Sequence, residues 1–255
     1  MKKQLKNTLY TQFQILCIAT LFVACVSPKK MVYFQSEEVT QNELLKNYAP
    51  KIQVDDVLNI YVSALDAETA TPFNIFQGGT QANTTKPITY LVDTEGTIAF
   101  PVLGNIKVIG FTTKELKAYL VGKLESYIKN PIVTIRLENF RITVLGEVKN
   151  PGAFNILSER ISIPEAIGLA GDLTIQGKRN NILLVRNTDG NFEKIRIDLT
   201  NESLFNSPYY YLAQNDVIYV EPNKAKVNSS AVGSNTGVIL SSVSILITLI
   251  TLLTR

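Results

Sequence analysis

Four hydroxyl-bearing residues near the C-terminus of the 255-residue chain have the spacing of one helix face. At about 100° per residue, Ser241, Ser244, Thr248 and Thr251 project within an arc of roughly 80°. Aliphatic side chains cover the opposite side of the same helix. Hydroxyls exchange hydrogen bonds with water without holding it tightly. The pattern therefore predicts a helix face that water can wet.

These hydroxyls lie in an apolar stretch, residues 238–254, that contains no charged residue. As a helix with about 1.5 Å rise per residue, it would cover most of a hydrocarbon core of roughly 30 Å. We therefore expect a C-terminal amphipathic transmembrane helix. Several copies in a ring would turn their hydroxyls to a lumen. In the alternative, the hydroxyls bond to their own backbone or mark simple helix–helix contacts.

The composition argues against catalysis. The chain contains no histidine, which removes the usual general base and the commonest metal ligand. Both cysteines, Cys17 and Cys25, lie near the N-terminus, so the body has no thiolate nucleophile and no cysteine metal site. A net charge of +3 is too small for a nucleic-acid footprint, and no phosphate-binding glycine loop is present. We expect a non-enzymatic protein without a cofactor or a metal.

Asp55 and Asp56 are adjacent carboxylates that invite a metal or acid–base interpretation. They stand between short β-rich runs, where a turn is expected, and no histidine or further acidic cluster accompanies them. We predict that both side chains are solvated on a turn.

The N-terminus has the features of a secretory signal over residues 1–24. A basic start is followed by a short apolar run that ends in small residues before Cys25. The ending Leu21-Phe22-Val23-Ala24-Cys25 resembles the bacterial lipoprotein signal, which implies that Cys25 becomes a lipid anchor. The alternative is a plain signal peptide or an uncleaved anchor with a coincidental cysteine. Residues 25–50 would then form a polar tether.

Residues 51–138 predict a small α+β domain. β-type runs are separated by turn residues, and Thr112 or Thr113 then begins a helix that should extend to Ile128. Leu116 and Leu120 lie on its apolar face, and the strand that follows has alternating apolar residues.

Residues 139–222 predict a second β-rich domain with one short helix. Strands flank a Pro-Gly turn, and Pro164 and Gly171 bracket the helix. Residues 215–220 echo residues 56–61, although the similarity is too weak to establish a repeat. A polar linker over residues 223–237 leads to the terminal stretch.

Two groups of motif residues resemble known domains. The first resembles the polysaccharide export domain of outer-membrane auxiliary proteins for capsule and exopolysaccharide, in the spacing of Val92, Asp93, Gly96, Ile98, Pro101, Gly104, Gly110, Thr112 and Asn130 to Val133. Asp56 to Ile60 is similar to the motif that opens that domain, with Asp55 in place of its glycine. The second resembles the soluble ligand-binding β-grasp domain through Gly146-Glu147-Val148 and Pro151-Gly152.

The resemblance implies a lipid-anchored protein of the Gram-negative outer membrane whose bulk is periplasmic. Such proteins form ring-shaped homo-oligomers that carry polysaccharide, with an inner-membrane polysaccharide co-polymerase or kinase as partner. We therefore expect an oligomeric conduit for capsular or extracellular polysaccharide, with Ser241, Ser244, Thr248 and Thr251 facing the lumen. The alternative is a monomeric periplasmic glycan-binding lipoprotein with a C-terminal membrane anchor.

Overall fold

Runs of alternating apolar residues form the strands of this protein. The strands belong to two α+β units that follow each other along the chain. The computed structural model describes residues 31–35, 48–77, 86–188, 190–231 and 236–253. The mixed α+β class predicted from the sequence is confirmed.

The first unit is built around a short antiparallel sheet. Its elements are β1 (Val57–Ser63), α1 (Ala67–Ala70), a 3₁₀ turn (Thr71–Phe73), β2 (Phe76–Gln77), β3 (Lys86–Pro87), β4 (Tyr90–Leu91), β5 (Thr97–Phe100), β6 (Gly104–Lys107), α2 (Thr113–Leu124) and β7 (Ile132–Leu137). Within the described residues, the sheet has the order β4-β1-β7, with Ile60 opposite Ile135, and β2-β3 and β5-β6 are separate pairs.

Helix α2 begins with a capping box between Thr112 and Glu115. Its buried face consists of Leu116, Leu120 and Leu124, as the sequence predicts. The helix ends at Leu124 instead of Ile128, because the amides of both Tyr127 and Ile128 donate to the Leu124 carbonyl and tighten the chain into turns. Ile128 nevertheless remains buried.

The second unit contains a larger mixed sheet. Its elements are β8 (Arg141–Gly146), β9 (Gly152–Asn155), α3 (Ile163–Leu169), β10 (Gly177–Thr188), β11 (Asn191–Ile197), a 3₁₀ turn (Glu202–Asn206) and β12 (Val217–Pro222). Within the described residues its order is β11-β10-β12-β8-β9, with β8 and β12 parallel and the other neighbours antiparallel. Gly146 has a φ of 89°, and a Cβ there would lie 2.1 Å from the Val220 carbonyl oxygen. Glycine is thus required where β8 approaches β12.

Each unit has its own apolar core. Buried residues of the first core lie between Ile52 and Ile135, and those of the second lie between Phe140 and Val220. Leu137, at the end of β7, packs against both cores.

A short N-terminal segment, residues 31–35, lies on the second unit before the chain enters the first. The amide of Phe34 donates to the Leu199 carbonyl at 3.1 Å, and its ring lies 4.9 Å from that of Phe205. The Tyr33 hydroxyl donates to Asp172 Oδ1 at 2.6 Å. We call residues 31–35 the N-terminal strap.

The C-terminal part of the chain differs from expectation. Residues 224–231, within the predicted linker, form helix α4 (Lys224–Ala231), because the Asn223 side chain accepts from the Lys226 amide at its start. After it comes helix α5 (Thr236–Leu253).

The prediction of a transmembrane helix over residues 238–254 is wrong. Among the described residues, no helix combines the length and the apolar character needed to cross a membrane. Helix α5 has 18 residues, near the lower end of the range of about 17–25 residues that a spanning helix needs. Its run of apolar residues is also interrupted by serines and threonines.

Candidate functional site

The predicted site residues are placed as follows. Cys25 lies outside the described residues. Ser241, Ser244 and Thr248 are exposed on helix α5, and Thr251 belongs to the same helix. The Ser241 hydroxyl donates to the Gly237 carbonyl at 2.7 Å, and the Thr248 hydroxyl donates to the Ser244 carbonyl at 2.8 Å. These hydroxyls therefore bond back to their own helix, while their oxygens keep the capacity to accept.

The region where the two units meet contains the same turn twice. Asp55 and Asn215 both have a left-handed backbone, with φ of 68° and 62°. The next residue is a buried aspartate in each case, Asp56 and Asp216. Each aspartate accepts at Oδ2, at 2.8 Å, from the amide three residues before it, and each turn leads into a strand, β1 or β12. The weak sequence echo thus corresponds to one local structure.

The two buried carboxylates differ in their partners. Asp216 accepts from Arg186 Nη2 at 2.6 Å and from Arg186 Nε at 3.0 Å. Among the described residues, Asp56 Oδ1 is buried and has no hydrogen-bond partner. Burial raises the pKa of Asp56 to about 6. The hydrogen bond from the Gln53 amide lowers this pKa, and the nearby charge of Asp55 raises it further. The carboxylate is mostly ionised at pH 7, and no described residue donates to Oδ1 to stabilise its negative charge.

This finding corrects the prediction that both aspartates are solvated. Asp55 is exposed, but only 1% of the surface of Asp56 is accessible. The burial of Asp56 could have been predicted from the sequence. Asp56 is in phase with Leu58 and Ile60, and alternate residues of a strand share a face. The structure does not support a metal site at Asp55 and Asp56, because the described residues include no group of three potential metal ligands.

Two side-chain amides join the turns across the segment that connects the units. The Asn139 amide accepts from the Val57 amide at 2.8 Å and donates to the Asp55 carbonyl at 2.9 Å. Gln214, next to the second turn, accepts from the Arg141 amide at 2.9 Å and donates to the Asn139 carbonyl at 2.8 Å. Asn139 and Gln214 thus hold both turns against one connecting segment.

A cleft of about 650 Å³ opens at this junction, and we call it the junction cleft. It is lined by residues 48–52, 135–138 and 156–160, together with Asp56, Thr113, Phe140 and Gln214. Its volume falls within the range of about 300–1,000 Å³ typical of small-molecule sites.

An aromatic pair lies beside the junction cleft. The rings of Tyr48 and Tyr211 are nearly parallel, at 20°, with centroids 5.1 Å apart. The Arg160 guanidinium lies 4.9 Å from the Tyr211 centroid. Tyr211 and its neighbours Tyr209 and Tyr210 are half-buried. Sequence reasoning missed the contribution of Tyr48, because it comes from the predicted tether.

Comparison with known proteins assigns both units. Residues 45–138 match the family model described as polysaccharide biosynthesis/export protein, and residues 141–196 match the SLBB domain. The chain is 30% identical over 158 residues to the EPS I polysaccharide export outer membrane protein EpsA of Ralstonia solanacearum, covering 58% of this chain and 42% of that protein. Its identity to the protein of the same name from Ralstonia nicotianae is 37% over 101 residues, 38% of this chain and 26% of that protein.

The chain thus spans less than half the length of either relative. The two domain matches are consecutive: the first covers the first folded unit, and the second covers the second unit from β8 into β11. The chain is thus similar to polysaccharide biosynthesis/export proteins over residues 45–138 and to SLBB domains over residues 141–196.

Proposed function

We propose that this protein takes part in the export of capsular or extracellular polysaccharide at the outer membrane of a Gram-negative bacterium. The observation that carries the proposal is the match of the export domain and the SLBB domain, in that order, to two consecutive units. The names of the two relatives, both polysaccharide export outer membrane proteins, support the role and the location.

In this proposal a lipid on Cys25 anchors the protein, and the two units lie in the periplasm. Copies of the chain form a ring, which works with an inner-membrane polysaccharide co-polymerase or kinase. Helix α5 turns Ser241, Ser244, Thr248 and Thr251 towards the polysaccharide, without crossing the membrane. Its apolar side chains, about half or more exposed in one chain, contact neighbouring copies.

The proposed role is passive and does not include catalysis. The chain has no histidine, and the two most buried carboxylates among the described residues, Asp56 and Asp216, belong to turns that order the backbone. The energy for transport then comes from the partner proteins.

Deletion of the gene in a polymer-producing strain tests this role. Polymer outside the cells should fall to background, while lipid-linked precursors are still made. Complementation with the full chain should restore export, and Cys25→Ser should restore it poorly while releasing the protein from the membrane fraction. Normal external polymer in the deletion strain would rule out a role in export.

A second candidate function is a monomeric periplasmic glycan-binding lipoprotein. It is favoured by the junction cleft, which one chain forms without a second copy. Native mass spectrometry of the detergent-extracted protein separates the two candidates. A discrete ring of many copies supports the export component, and a monomer supports the binder.

A further inference from the structure

The junction cleft is formed by two units that the chain connects at two places. Residues 48–52 pass from the second unit to the first: Tyr48 donates to the Leu212 carbonyl at 3.4 Å, and the Ile52 amide donates to the Phe111 carbonyl at 2.9 Å. The second connection follows β7 and is held by Asn139 and Gln214. With two connections, the units cannot rotate freely, so the cleft is largely pre-formed, as binding sites usually are.

The exposed charges around the cleft nearly cancel. Lys51, Arg136 and Arg160 carry positive charge, and Glu138 and Glu159 carry negative charge. Such a lining offers donors and acceptors of hydrogen bonds without a strong field of one sign. It suits a neutral ligand rich in hydroxyls better than a polyanion.

Asp56 adds one negative charge behind the lining of the cleft. Its Oδ1 is buried and, among the described residues, has no hydrogen-bond partner, so a ligand in the cleft does not contact this oxygen. At neutral pH the carboxylate is mostly ionised, since its pKa is about 6, and its charge balances the small excess of positive charge at the rim.

Tyr48 adds an aromatic surface next to these polar groups. Its ring rests on that of Tyr211, which in turn contacts Arg160, so its orientation is fixed by packing. A rigid ring is suited to contact with the C–H face of a sugar ring at low entropic cost.

We propose that the junction cleft binds a neutral segment of saccharide. Tyr48 contacts the face of a sugar ring, and Arg160 and Glu159 bond to hydroxyls at the rim, directly or through one water. The choice of saccharide as the ligand class rests on the proposed function.

A fluorescence titration of the full chain tests the site. Because the chain contains no tryptophan, Tyr48→Trp provides a single reporter that keeps an aromatic ring on Tyr211. The probes are a neutral cello-oligosaccharide, an anionic alginate oligosaccharide and an uncharged peptide. We expect a saturable signal with the neutral saccharide and much weaker signals with the other two.

Substitutions in the reporter chain locate the binding. Arg160→Ala, on an exposed loop, should weaken binding about tenfold, the effect of losing one hydrogen bond from a charged group, and leaves the buried turn intact. Glu125→Gln, an exposed carboxylate outside the cleft, should bind like the reporter chain. Unfolding midpoints measured alongside identify a variant that fails to fold.

Three results would overturn the site: no saturable signal with the neutral saccharide, equal binding in the Arg160→Ala and Glu125→Gln chains, or stronger binding of the alginate or the peptide. The result is separable from that of the gene deletion. Loss of export on deletion with no binding in the titration would reject the site and keep the role in export. Saturable binding with normal export would keep the site and reject that role.

Discussion

Asp56 and Asp216 occupy the same position in two copies of one turn, but only Asp216 is paired with an arginine. Both accept from the backbone amide three residues earlier at 2.8 Å, and both are buried. Arg186 pairs with Asp216, although burial still raises the pKa of Asp216, whereas the described residues place no donor on Asp56 Oδ1. The two turns therefore have the same local structure but differ in the electrostatic free energy of their aspartates. The two aspartates should respond differently to substitution.

Asp56 should make stability depend on pH. Its pKa is raised from 3.8 to about 6, so the folded state binds a proton more readily than the unfolded state. The stabilising effect is complete below about pH 4 and is lost as the pH rises to about 6. At about 1.4 kcal/mol per pKa unit, the loss is at most on the order of 3 kcal/mol.

Chemical denaturation at pH 4, 5, 6 and 7 checks this prediction. The free energy of unfolding of the wild type should fall with rising pH relative to that of Asp56→Asn, and the difference should level off above about pH 6. Parallel profiles for the two proteins would contradict it. Glu125→Gln serves as the control and should follow the wild type.

Asp216→Asn should destabilise the protein by about 3–5 kcal/mol, because it leaves the half-buried Arg186 without its charged partner. Burial works against the charged guanidinium, but its bonds to Asp216 outweigh this and raise the pKa of Arg186. Urea denaturation measures the loss, and adding Arg186→Met should recover part of it. The exposed Arg196→Ala is the control, with an expected cost below about 1 kcal/mol. An equal cost for both single variants would contradict the assignment.

The amides of Asn139 and Gln214 should couple the two units. Gln214→Ala leaves the Arg141 amide without its acceptor and should cost about 1–3 kcal/mol. Limited proteolysis should then cut the connecting segment near residues 138–141 faster than in the wild type. Asn105→Ala, at an exposed position of β6, should leave the cleavage rate unchanged. Faster cleavage elsewhere, with this segment still protected, would point to general destabilisation instead.

The N-terminal strap should stabilise the second unit. Phe34→Ala removes a ring that packs on Phe205 and should lower the free energy of unfolding by about 1–2 kcal/mol. Val32→Ala, at an exposed position of the same strap, should change it by less than about 0.5 kcal/mol. Hydrogen exchange provides a local check, since the Phe34 amide bonded to Leu199 should exchange faster in the first variant.

The hydroxyl face of helix α5 leads to a labelling experiment. In the proposed ring, Thr248→Cys should react with a water-soluble maleimide, while Leu246→Cys should be shielded by neighbouring copies. Dissociation of the ring should make the second cysteine reactive, because Leu246 is 59% exposed in one chain. Equal reactivity of the two positions in the intact particle would contradict the proposed orientation.

Several features could be predicted from the sequence because they depend on neighbouring residues. The capping boxes of α2 and α3, the leucine face of α2 and the alternation along β1 are local patterns, and the structure contains all of them. The motif residues also sufficed to indicate both of the domains that the chain matches. The terminal helix lies close to its predicted bounds, at residues 236–253 against 238–254, but the prediction that it spans a membrane was wrong.

Tertiary structure decided what happens between distant residues. The echo between residues 56–61 and 215–220 was too weak to establish a repeat. It gave no sign that Arg186 would reach Asp216 while no described residue donates to Asp56 Oδ1. Nor could the sequence place Tyr48 on Tyr211, or Asn139 beside Gln214. Spacing along the chain sets which face a side chain occupies, whereas its charge partner and its cleft depend on how two separately packed units meet.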